Sequence, residues 1–76
     1  MSVTKIEFRD EVNRILYEKG LTHAELAKRS GLSSVTISNI INCRRRPSVK
    51  SANAIARTLG IDEEAFRKTL FEIIAV

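Results

Sequence analysis

The sequence predicts an all-α fold of five short helices in a single domain. Apolar residues recur at three- and four-residue spacing, and no segment shows the alternation of a strand. Proline occurs once, at Pro47, and a glycine closes three of the periodic segments while Ser, Thr or Asp opens four of them. With 76 residues the chain is expected to form one domain over 1–76. A domain this small buries only about 60–65% of its unfolded surface, so self-association would be a natural supplement to its stability.

The first helix is expected over residues 5–18, where Phe8, Val12, Ile15 and Leu16 make one apolar stripe. Gly20 suits the left-handed residue beyond its end, and Leu21 the apolar contact back onto it. Thr22-His23-Ala24-Glu25 fits a capping box that opens a second helix, with Leu26 and Ala27 inward and Lys28 and Arg29 at its negative end. Gly31 stops this helix after little more than two turns. Ser33 caps a third, over 34–42, whose inner side is Ile37, Ile40 and Ile41. Arg44-Arg45-Arg46-Pro47 reads as a loop, because the residue before proline disfavours helix. Ser48 caps a fourth helix containing Val49, Ala52, Ala56 and Leu59, closed by Gly60. Asp62 opens a fifth over 62–74, with Glu63 and Glu64 at its positive end and Phe66, Leu70, Ile73 and Ile74 as its stripe.

Charge is distributed unevenly. The net charge is +4, yet residues 1–25 sum to −1 and residues 62–76 to −2. Between them Lys28, Arg29, Arg44, Arg45, Arg46, Lys50 and Arg57 stand with no acid at all. A +7 block without a carboxylate is either a solvated basic face or a surface for a polyanion.

Other function classes find little support. One histidine and one cysteine, twenty residues apart, offer neither a catalytic triad nor a metal cluster, and there is no glycine-rich phosphate loop. No enzyme activity, metal or cofactor is therefore expected. No apolar run approaches the roughly 20 residues of a membrane helix, and the charged N-terminus is unlike a signal peptide. The single Cys43 rules out an internal disulfide and fits a cytoplasmic setting. It reads either as an inert thiol or as a redox-sensitive one activated by the neighbouring arginines.

The informative unit runs over 22–42: a capped short helix, the turn Ser30-Gly31-Leu32-Ser33, and a second short helix. A glycine turn of this length sets two helices at a steep angle. Thr22-His23-Ala24-Glu25-Leu26-Ala27, then Gly31-Leu32-Ser33, Ile37-Ser38 and Arg44-Arg45-Arg46-Pro47-Ser48 resemble the phage-repressor-like helix-turn-helix family, that of lambda repressor and Cro. The resemblance extends over about residues 6–72. It implies a five-helix lambda-repressor-like domain binding double-stranded DNA as a transcriptional regulator, its third helix in the major groove.

By the same resemblance, Ser34, Val35, Ser38 and Asn39 read base edges, with Asn39 suited to adenine and the Val35 methyls to thymine. Thr36, Asn42, Arg44, Arg45 and Arg46 meet phosphates, and so does His23 at the amino end of the second helix. His23 reads alternatively as a merely exposed polar residue. Three positions depart from the family pattern: His23 replaces a frequent glutamine, Ile41 a frequent glutamate, and Cys43 the glycine that commonly follows the third helix. A cysteine in the left-handed region would be strained by about 1 kcal/mol or more, so the loop after the third helix is expected to follow a different path from that of its relatives.

Phe71, Ile74 and Val76, in an apolar chain end, are expected to make a homodimer contact. A palindromic operator and control without a small-molecule effector follow, in the manner of a small phage repressor or a restriction-modification controller acting on bacterial or phage DNA at the nucleoid. The competing class is a protein-interaction module or antitoxin that has lost DNA binding, which the arginine triplet disfavours.

Overall fold

The computed structural model describes residues 4–75 and contains five helices among them: α1 (Lys5–Lys19), α2 (His23–Ser30), α3 (Ser34–Ile41), α4 (Val49–Leu59) and α5 (Glu63–Ala75). Each begins where a short polar side chain accepts a hydrogen bond from an otherwise unpaired amide. Thr22 accepts from Glu25 N, and the Glu25 carboxylate returns to Thr22 N, completing the capping box. Ser33, Ser48 and Asp62 accept from Thr36 N, Ser51 N and Ala65 N at 3.1, 3.1 and 2.8 Å. Thr4 caps α1 in the same manner through Glu7 N, a Thr-x-x-Glu pattern that the sequence reading passed over.

The carboxyl ends of α1 to α4 share one geometry. Gly31 is left-handed at φ 73°, its N–H reaches Lys28 O, and Leu32 N reaches Ala27 O at 2.9 Å, the paired bonds of a Schellman motif. Leu32 then folds against the core. At the end of α3 the same two bonds run from Cys43 N to Ile40 O and from Arg44 N to Asn39 O, at 3.0 and 2.8 Å. Here the left-handed residue is Cys43 at φ 55°, the one non-glycine with positive φ among the described residues. The polarity is also reversed: the cysteine is buried and the following Arg44 is exposed. Packing of the thiol and two satisfied carbonyls offset the strain that a side chain meets in this region.

The core is drawn from every helix. Leu26, Ile37, Ile41, Ile55, Leu59 and Leu70 are its largest fully buried side chains. Ala52 and Ala56 lie one turn apart on α4 and are wholly buried, so α2 and α5 can pack closely on that helix. Arg67 donates to Asn53 Oδ1 at 2.8 Å, tying α5 to α4. Phe8 and Phe66 bring α1 and α5 together, with ring centroids 5.5 Å apart.

Two expectations are modified. Val49 is 51% exposed, because it occupies the first turn of α4, and Ile55 supplies the buried contact instead. Ile15 is half-buried at the edge of its stripe. Among the described residues no polar or charged residue is buried, and no helix is long and apolar enough to cross a membrane.

Burial pushes the Cys43 thiol above its ordinary pKa, outweighing the opposing charge of Lys5. Thiolate is the reactive form. Native protein at mildly alkaline pH should therefore resist alkylation at Cys43 by iodoacetamide, and unfolding in urea should release it. Rapid labelling of the folded protein, followed by mass spectrometry, would contradict this placement.

Candidate nucleic-acid interface

Three residues, Gly31 to Ser33, separate α2 from α3, and both ends of the turn are fixed by hydrogen bonds. Leu26 and Ala27 from α2 and Ile37, Ile40 and Ile41 from α3 are buried, so the opposite side of α3 is turned outward. Ser34, Val35, Ser38, Asn39 and Asn42 lie along this side at one-turn spacing. Val35 is 71% exposed, so its methyl groups are open to a partner outside the fold.

Internal hydrogen bonds divide the expected site residues. Asn42 Nδ2 donates to Ser38 O at 2.9 Å and to Ser38 Oγ at 3.4 Å, so both are engaged with each other along the helix. The Thr36 and Ser33 hydroxyls are 2.8 Å apart in the cap of α3. Ser34, Val35 and Asn39 have no side-chain partner among the described residues, leaving the Asn39 amide with its full set of donors and acceptors.

Beside α3 lies a cleft of about 150 Å³, one wall formed by Thr36, Asn39 and Ile40 and the other by Arg45, Arg46, Pro47, Ser48 and Ser51. The amino end of α4 opens into it. The first amides of a helix have no intrahelical acceptor, and together with two guanidinium groups they make an electropositive floor. Among the described residues Arg44, Arg45 and Arg46 form no salt bridge with a carboxylate. The Arg46 guanidinium carbon instead lies 4.8 Å from the centroid of the Phe71 ring on α5. Arg57 is different: its Nε is 2.9 Å from Glu63 Oε1, so it is removed from the basic block that the sequence presented. A second groove of about 240 Å³, between α1 and α5, is apolar and contains the carboxylates Glu11 and Asp62 but no base.

His23 occupies the first turn of α2, as expected, but its ring is already engaged. Nε2 donates to Asn13 Oδ1 on α1 at 2.8 Å. Asn13 is the neighbour that sequence reasoning missed, since ten residues and a helix boundary separate the pair. Phe71 and Ile74 are half-buried against the core and Val76 lies outside the described residues. Of the three positions departing from the family pattern, Ile41 is explained by complete burial, where a glutamate would be costly.

The helix-turn-helix family profile matches residues 13–66. The chain is also 42% identical over 57 residues to Repressor protein C of Rhizobium phage 16-3, a stretch covering 75% of this chain and 21% of that protein. It thus spans about one-fifth of the length of this relative. No solved structure gives a significant match. With its five helices, its glycine turn and its outward-facing third helix, this chain belongs to the phage-repressor-like helix-turn-helix family.

Proposed function

We propose that residues 1–76 form a single DNA-binding domain that regulates transcription by reading double-stranded DNA with α3. One observation carries this reading: an uncharged polar face on α3 stands beside a basic loop whose arginines lack acidic partners. Carboxylates on that face would be repelled by phosphates, whereas hydroxyl and amide groups can meet base edges. In the proposed complex Ser34, Val35, Ser38 and Asn39 face bases. Thr36, Asn42, Arg44, Arg45 and Arg46 contact phosphates, with His23 at the α2 amino end. Because the ring donates through Nε2 to Asn13, that contact falls to the first-turn backbone N–H groups of α2, that of His23 among them. Repressor protein C, named for repression, supports the transcriptional reading.

The domain acts as a homodimer on a two-fold symmetric operator in bacterial or phage DNA. Two-fold symmetry presents the two α3 helices to successive major grooves, ~34 Å apart. The contact uses the outer side of α5, where Phe71 and Ile74 keep part of their apolar surface uncovered, together with Val76.

Replacing Arg44, Arg45 and Arg46 together with alanine should weaken operator and random duplex alike. The slope of log binding constant against log salt should flatten by about 0.9 for each phosphate that the variant no longer neutralises. An unchanged slope in a fluorescence-anisotropy titration would show that the loop does not touch the backbone. Binding to no duplex by the wild type at low salt would favour a protein-interaction module.

Sedimentation equilibrium should give the wild type twice the 8.5 kDa mass of the chain. Ile74→Lys should shift it toward monomer with helical circular dichroism retained. A monomeric wild type contradicts the dimer, and loss of helicity in the variant would assign Ile74 to the monomer core.

A further inference from the structure

Arg46 and Phe71 are 25 positions apart in sequence and belong to different elements, yet the Arg46 guanidinium carbon lies over the Phe71 ring. The two partners differ in freedom. Phe71 is half-buried and packed on the core, so its ring is a fixed platform. Arg46 is exposed, in the loop between α3 and α4, and would otherwise spread its guanidinium over many rotamers. A guanidinium held over one ring by a cation–π contact keeps the N–H donors that point away from the ring, where a phosphate oxygen accepts them. With Arg45, the same side chain lines the cleft whose far wall carries Asn39.

We propose that Phe71 is a positioning residue for DNA binding. From α5 it holds the Arg46 guanidinium, already ordered, toward the phosphate backbone beside α3. This assignment rests on the DNA-binding reading above and gives Phe71 a role separate from dimerisation. The ordering cost that an arginine without this contact would incur on binding is met instead during folding.

The test compares wild type, Phe71→Leu, Phe71→Trp, Arg46→Ala and the Phe71→Leu/Arg46→Ala double variant on a fluorescein-labelled random duplex. Sedimentation and thermal melting are recorded for each. Phe71→Leu keeps an apolar side chain at the α5 contact and should keep the fold. With binding compared at protein concentrations where sedimentation gives both proteins the same oligomeric state, it should weaken binding about two- to five-fold per half-site. That factor is the ~0.5–1 kcal/mol of an exposed cation–π pair at 1.4 kcal/mol per decade. Phe71→Trp should restore binding, and Phe71→Leu should add nothing once Arg46 is alanine. Without DNA, the Arg46 side-chain proton resonances should be shifted upfield in wild type and Phe71→Trp and return toward random-coil values in Phe71→Leu. Wild-type affinity in Phe71→Leu, tighter binding, or a loss that persists in the Arg46→Ala background would each overturn the proposal. A wild type with shifted Arg46 resonances that binds no duplex would instead overturn the DNA-binding reading on which it rests.

Discussion

Helices of eight residues do not persist alone in water, where about 12–15 residues are marginal even for favourable sequences. Both α2 and α3 are of that length, and α3 carries the candidate reading face. What holds them is burial of Leu26, Ala27, Ile37, Ile40 and Ile41 within a core that α4 supplies with Ala52, Ile55, Ala56 and Leu59. Each large aliphatic side chain buried here is worth about 1.5–3 kcal/mol, against a total stability of roughly 4–11 kcal/mol for a chain this size. The orientation of α3 is therefore a property of the whole core. Its capping bonds and the Gly31 turn set the angle at which α3 leaves α2, but they act on helices that packing has already stabilised.

The same core governs where charges can lie. Its described part contains no ionised group, so the charged side chains of the described residues lie outside it. Acids lie on α1, where an equal number of bases balances them, and at the amino end of α5, where the helix dipole favours them. Bases collect at the end of α2, in the loop after α3 and at the start of α4. Arg57 and Glu63 meet where the two territories adjoin; their exposed pair is worth at most about 1 kcal/mol, and its main effect is to close the basic field on that side.

Elements set by local chemistry were legible in the sequence. The caps at Thr22, Ser33, Ser48 and Asp62 and the glycine stops each depend on residues within a few positions of one another. The all-α architecture of five helices followed from them, and the family match agrees with the resemblance carried by residues 22–48. The strain expected of a cysteine at this position pointed to a diverted loop, whereas Cys43 takes the left-handed conformation itself, because burial compensates it and no local pattern reveals burial. Pairs made only by tertiary packing stayed hidden: His23 with Asn13, Arg57 with Glu63, and Arg46 with Phe71. Phe71 shows the consequence most clearly. Its apolar surroundings pointed to a dimer contact, and nothing local signalled that its ring lies beneath the Arg46 guanidinium.

The account depends most on the claim that α3 reads sequence, and Asn39 is its strongest reader. Ser34, Val35, Ser38 and Asn39 include no arginine, lysine or glutamine, so Asn39 alone can make a two-bond contact with a base, and its geometry favours adenine. Selection of binding sites from a random duplex pool, run in parallel for wild type and Asn39→Ala, measures this directly. The wild type should enrich a two-fold symmetric site, and the variant should lose its preference at one adenine–thymine pair in each half. Affinity for that site should fall by about 1–3 kcal/mol while binding to random duplex barely changes. Identical consensus sequences from the two proteins would contradict the claim.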